Sequence, residues 1–186
     1  MTRQRNARGE GARLRDELLD AAARLVEAAG SADAVTLRAV AREAGIAAPS
    51  IYRHFTDWDD LLRALVAHRF ERLDDELARA MSAAADPEAA LRACCAAYCR
   101  FGLDNPGHYR VLFGTTLSFA TAPEVPGLQV FQRLVAAVEQ AGVARPELAA
   151  IDIWLALHGI VSLRTSRPTF PWPPLTDLIE AALRRA

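Results

Sequence analysis

An all-α architecture in two parts is what this sequence predicts: a small helix-turn-helix unit in the N-terminal third and a helical bundle behind it. Three observations lead there. No strand-like alternation of any length occurs, Ala and Leu are abundant, and β-branched residues are scattered. Apolar residues recur at three- and four-residue spacings along most of the chain. Two short periodic segments meet at a Gly-containing turn, Ala44-Gly45-Ile46.

The elements follow in order. A first helix is predicted over 10–29, where Leu14, Leu18, Ala22, Leu25, Val26 and Ala29 share a face and Gly30 ends it. Thr36 is the natural N-cap of a short helix over 37–44, which Gly45 stops. Pro49 suits the first turn of another short helix, 48–55. Asp57 can cap a long fourth helix from Trp58, whose stripe is Leu61, Leu62, Leu65, Val66, Phe70, Leu73 and Leu77. Asp86-Pro87 opens a helix running to about Asp104, and Asn105-Pro106-Gly107 breaks it. Helices over 108–114, 127–141 and 146–165 are expected next. The proline-rich stretch 167–174 must be irregular, and a last helix covers 175–185.

Composition narrows the class. With 186 residues and 52% apolar content, the chain can bury a core without staples and is not disordered. No apolar run reaches 18 residues, so no membrane span is expected. The Arg-rich start lacks the apolar segment of a secretory signal, which makes the cytoplasm the expected location. Net charge is −1, and all 22 basic residues are Arg. A globally basic nucleic-acid binder is therefore not indicated. Locally, Arg3, Arg5, Arg8, Arg13 and Arg15 stand against Glu10 alone. Such an arm can follow phosphates or simply fray in solvent.

The informative stretch is 36–55. Leu37, Val40, Ala41, Ile46 and Ile51 can close on the first helix, and Ala41 permits close approach. The other faces carry Arg38, Arg42, Ser50, Tyr52, Arg53 and His54, donors of the kind that meet phosphates and base edges. Alternatively, Tyr52 and Phe55 are core aromatics and the arginines a solvated face. Thr36-Leu37-Arg38, Val40-Ala41, Ala44-Gly45-Ile46, Pro49 through Phe55, and Leu61-Leu62 together resemble the DNA-binding domain of the tetracycline-repressor (TetR) family of bacterial transcription regulators.

The resemblance implies roles residue by residue. Thr36 and Arg38 would touch backbone phosphates. Ala48, Pro49, Ser50 and Arg53 would face the major groove, and Tyr52 and His54 would hold phosphates at its edge. Independently of the family, an Arg such as Arg53 can pair with guanine, and small apolar groups such as Ala48 and Pro49 suit a thymine methyl. Many members carry a basic residue at the start of the fourth helix. Here that position is Trp58, followed by Asp59 and Asp60. The resemblance further implies an N-terminal DNA-binding domain and a C-terminal ligand-binding and dimerisation bundle, with a homodimer on a palindromic operator. We divide the chain into an arm at 1–9, a DNA-binding domain at 10–69 and an effector-binding and dimerisation domain at 70–186.

In the second part, the helix around Ile151, Ile153, Trp154, Leu155, Leu157, Ile160, Val161 and Leu163 is apolar nearly all round. Such a helix must be covered on both sides, by its own subunit and by a partner. Leu175, Leu178, Ile179, Ala182 and Leu183 on the last helix offer a companion face, with Ile179 the expected interface probe. Trp154, His158 and Gly159 form a W-x-x-x-H-G pattern that resembles a C-terminal domain type of TetR regulators named for those letters. Tyr98, Phe113, Phe119, Trp154 and His158 are the expected lining of a pocket for a small apolar or aromatic effector. The alternative makes Trp154 core and has His158 satisfy a buried carbonyl.

Cys94, Cys95 and Cys99 cluster on one helix. They read as small buried hydrophobes or as a thiol sensor; their spacing matches no common zinc pattern. No cofactor or metal is expected. An enzyme using Cys99 with His108, or His158 with Asp152, has no recognised catalytic motif behind it. A dimeric helical adaptor that does not bind DNA is the other alternative.

Overall fold

The computed structural model describes residues 10–114 and 127–186, and every regular element among them is helical. The first helix, α1 (Glu10–Ala29), buries Leu18, Leu19, Ala22 and Val26. Gly30 closes it in the left-handed region, at φ 72°, with its N–H on the Val26 carbonyl. A single 3₁₀ turn, Ala32–Ala34, capped by Ser31, leads to α2 (Leu37–Glu43). Thr36 caps α2 as expected: its hydroxyl accepts from the Ala39 N–H at 3.2 Å.

The third helix is shorter than the sequence suggests. α3 (Ala48–Ile51) is one turn, and the chain to Phe55 is held by tighter bonds, Arg53 N–H to Ser50 and His54 N–H to Ile51. The reason is packing. Phe55, 1% exposed, must turn into the core, and Arg15 lays its guanidinium over the ring at 4.9 Å. The Thr56 N–H is then taken by the Asp60 carboxylate at 2.9 Å.

α4 (Trp58–Ser82) starts at Asp57, whose carboxylate accepts from the Asp60 N–H at 2.8 Å. α5 (Pro87–Asp104) starts in the same way at Asp86. α6 (Pro106–Gly114) begins two residues earlier than the break at 105–107 implied. Pro106 fills a first-turn position that needs no N–H, and the Tyr109 N–H bonds the Asn105 carbonyl at 2.9 Å. α7 (Leu128–Gln140), α8 (Pro146–Ser166) and α9 (Leu175–Leu183) complete the bundle.

α4 packs on α1 at one end and on α5, α6 and α7 along the rest. Leu61, Leu65 and Val66 fill the core under α1–α3, and Phe70, Leu73 and Leu77 fill the bundle. Between them sits Arg69, 8% exposed, with Nη2 3.0 Å from Asp20 of α1. It is the one charged side chain buried among the described residues. α6 meets α1 nearby: the His108 N–H donates to Glu27 at 3.1 Å, and Gly107 lies flat against Glu27. Arg133 of α7 forks onto Asp74 of α4 with two bonds of 2.6 Å.

By length and composition α8 could cross a membrane. In this fold its Ile153, Leu157 and Val161 pack into the bundle, whereas Leu148, Ile151, Leu155 and Leu163 stay exposed. α9 is placed differently from the expectation. Ile179, 4% exposed, and Ala182 are buried within the subunit, so Ile179 is a core residue and no probe of a partner face.

Gly107→Ala tests the seam between α1 and α6. A Cβ there would sit 2.9 Å from the Glu27 backbone as well as on its carboxylate. We expect a loss of about 1–3 kcal/mol in denaturant unfolding. An unchanged midpoint would show that the two helices part without strain.

Candidate functional site

Two features could carry function, one at each end of α4. The first is the face made by the start of α2 and by α3. Thr36, Arg38, Pro49, Tyr52 and Arg53 are exposed on it, and Ala48, Ser50 and His54 are half-buried. The geometry separates the two aromatics. Tyr52 is 52% exposed, so it is free to meet a partner, whereas Phe55 is core. Among the described residues, Arg38, Arg42 and Arg53 have no carboxylate partner, although Arg24 beside them pairs with Glu43 at 3.1 Å. The Thr36 hydroxyl is engaged in its own helix cap, so its first duty is to set the angle at which α2 leaves the turn.

Trp58 stands where the resemblance leads one to expect a basic residue. It packs against the core, and its indole nitrogen is buried with no hydrogen-bond partner. Asp57, Asp59 and Asp60 surround it with negative charge. The arm at 1–9 lies outside the described residues.

The second feature is a partly open apolar cavity of about 200 Å³ between α4, α5, α6, α7 and α8. Phe70, Tyr98, Phe113, Phe131, Trp154 and Leu157 are among the residues of its wall. Tyr98, Phe113 and Trp154 were expected there. Phe119 lies outside the described residues. His158 is a correction: it does not line the cavity but stands behind the wall, against Tyr109 and Phe113. Its Nδ1 is 2.6 Å from the Tyr109 hydroxyl, which is 3.1 Å from the Tyr98 hydroxyl. Its partner is thus a phenol and not a carbonyl. Burial holds the His158 imidazole below its usual pKa and pushes the Tyr109 phenol up to about 12. The Tyr98 phenol is pushed further up by the same cause. All three groups are neutral near pH 7.

Phe70 and Phe131 were missed as lining. Phe70 shares the α4 stripe with Leu77, which also borders the cavity, but the periodicity of one helix does not say which stripe residues face a void. Gly127, at φ 84°, brings its backbone onto the Phe70 ring, where a Cβ would collide.

The cysteines are buried. Burial raises the Cys94 and Cys99 thiols to about 12, and Cys95 also rises, so little thiolate is present. No metal-binding group of His, Cys, Asp or Glu occurs among the described residues. Neither proposed catalytic pair is joined by a hydrogen bond. His108 lies against α1, and His158 is held by Tyr109. All three thiols should react slowly with an aromatic disulfide reagent in the native state and rapidly in denaturant. Fast native labelling of any one would contradict their burial.

Comparison with known proteins then places the chain. Residues 18–65 match the family described as bacterial regulatory proteins, tetR family. Residues 91–186, just over half of the chain, match the tetracyclin repressor-like C-terminal domain. A protein of unknown function from Rhodococcus sp. RHA1 has a similar structure, with TM-score 0.77, 26% identity and 92% of each chain covered. A TetR family transcription regulator from Marinobacter aquaeolei VT8 shares the fold at TM-score 0.71 and 22% identity, covering 96% of this chain and 95% of that one. A TetR-like transcriptional regulator from Rhodococcus sp. RHA1 does so at TM-score 0.70 and 22% identity, with 97% of each chain covered. Members of this family are DNA-binding transcription factors, generally dimeric and responsive to small molecules, and are not enzymes. With both halves matched over a continuous all-helical fold, the chain belongs to the TetR family of bacterial transcriptional regulators.

Proposed function

We propose that the protein is a repressor that binds a palindromic operator as a homodimer and leaves it when a small apolar effector fills the cavity. The cytoplasm is where it would act on that DNA. The observation that carries this reading is the reach of α4. One end packs on α1, which also carries α2 and through it α3, and Phe70, further along the same helix, borders the cavity. A ligand that shifts Phe70 acts on a rod that ends at the DNA-reading unit.

In this reading residues 10–69 hold the DNA. Thr36, Arg38, Tyr52 and His54 lie along phosphates, and Ala48, Pro49, Ser50 and Arg53 meet base edges. Residues 70–186 take the effector and a second subunit. Leu148, Ile151, Leu155 and Leu163 give α8 an apolar strip that is exposed in the single chain, the kind of patch a partner covers. A two-fold axis along that strip would present two DNA-reading faces to the two halves of a palindrome.

Arg53→Ala or Tyr52→Ala should weaken operator binding by about 1–3 kcal/mol, and log affinity should fall linearly with log salt. Unchanged affinity in both variants removes the recognition face. Leu155→Asp, at a position 58% exposed, should yield folded monomer in sedimentation. A Leu155→Asp protein that stays fully dimeric places the interface elsewhere. Titration calorimetry tests release: an inducer must bind more weakly to the operator complex, by the factor by which it weakens operator binding. Equal affinity in both states identifies a ligand that is no inducer.

A further inference from the structure

Gly159 is a glycine that its own subunit does not need. It lies inside α8 with an ordinary helical backbone, so no turn calls for it. A Cβ at this position would meet nothing within 4 Å, so no neighbouring helix calls for it either. A glycine in a helix interior costs about 1 kcal/mol relative to alanine, and nothing inside the chain offsets that cost. α5, α7 and α9 pack on α8, and the strip of Leu148, Ile151, Leu155 and Leu163 is left open. Leu155 stands four residues before Gly159 and Leu163 four after it. The glycine is therefore a notch in the open strip, about one turn from each leucine.

The residues around the notch match their own reverse order. A two-fold axis through Gly159 would set α8 antiparallel to its copy. A residue some places before the glycine then faces one about as many places after it. Leu155 meets the partner subunit's Leu163, and Leu163 meets the partner subunit's Leu155. Asp152 stands seven places before Gly159, and Arg167, just past the end of α8, eight places after it. Both are exposed, and neither has an ion-pair partner among the described residues. The antiparallel arrangement brings these opposite charges together twice, once on each side of the notch. A parallel one would set Asp152 against the partner's Asp152. An unrelated protein or a lipid surface would give no reason for such symmetry, whereas a second copy of this chain does.

We propose that two copies of the chain cross antiparallel at Gly159 of α8, with the missing side chain letting the two backbones approach and Asp152 paired with the partner subunit's Arg167. This rests on the reading of the α8 strip as the dimer face, and it adds the crossing point, the direction and the register. Helix axes can come as near as about 8 Å where the side chains at the contact are small. Gly159 thus sets how tightly the two leucine pairs close, and the charge pairs hold α8 against sliding along its copy.

The test is sedimentation of the full-length protein over a dilution series. Gly159→Leu should give folded monomer, and Gly159→Ala should weaken the dimer about tenfold. In the monomeric Leu155→Asp background, Gly159→Ala should not lower the denaturant midpoint, because the methyl has open space and the helix gains. A lowered midpoint there shows that the subunit itself needs the glycine, and overturns the proposal. Asp152→Arg and Arg167→Asp should each weaken the dimer several-fold, more at low salt than at high, and together restore it. Single reversals that leave the dimer unchanged, or a double variant no better than either, overturn the antiparallel pairing, whatever Gly159→Leu does to the fold. Full dimer in Gly159→Leu beside monomer in Leu155→Asp keeps the strip as the interface and overturns the crossing at Gly159 alone. Full dimer in both removes the strip as well.

Discussion

One helix has to serve both the helix-turn-helix unit and the bundle, and most of this structure is a consequence of that constraint. α4 contributes Leu61, Leu65, Val66, Phe70, Leu73 and Leu77 to one continuous core that joins the two. A helix of 25 residues is about 37 Å long at 1.5 Å per residue, which is reach enough for both. Midway along that stripe the buried side chain is Arg69, not an aliphatic residue. Its desolvation is only partly offset by Asp20 of α1, and the pair ties α4 to α1. A buried cation with one partner tolerates little sliding, because losing that partner leaves the charge uncompensated.

The same neighbourhood gathers polar groups from three helices. Asp20 and Glu27 come from α1, His68 and Arg69 from α4, and His108 from α6. His108 is held below its usual pKa by burial first and by Arg69 second, so it does not add a second positive charge there. The backbone of α6 is tied to Glu27 at His108, and the next residue, Tyr109, is tied to His158 behind the cavity wall. Adjacent residues of one helix thus connect α1 of the helix-turn-helix unit and the cavity, beside the longer path along α4.

The bundle is built so that a void survives in it. Interiors normally close to crystal-like density. Here Tyr98 and Phe113 on the wall are backed by Tyr109 and His158 with tilted and edge contacts, centroids 4.7–6.4 Å apart, and such rigid rings do not collapse inward as aliphatic chains would. The buried hydroxyls need partners: Tyr98 pairs with Tyr109, and Tyr109 also with His158. Cys94 at the cavity wall, with its thiol kept protonated by burial, serves as a small apolar surface.

The sequence by itself determined the helices and the family. Caps at Thr36, Asp57 and Asp86 and stops at Gly30 and Gly45 act within a few residues of chain, so local chemistry states them in full. The exposed face proposed to read DNA was legible as a surface for the same reason, because it is built from contiguous residues at the start of α2 and on α3. Tertiary structure decided what depends on residues far apart in the chain. Apolar periodicity marks Ile179 and Leu155 alike as faces to be covered, yet only packing shows that the first is covered by its own subunit and the second is left open. Trp154 and His158 share a helical face four residues apart, but one borders the void and the other is drawn behind it by a phenol 49 positions away. A void is bounded by several helices at once, and no single stretch of sequence carries the information that places it.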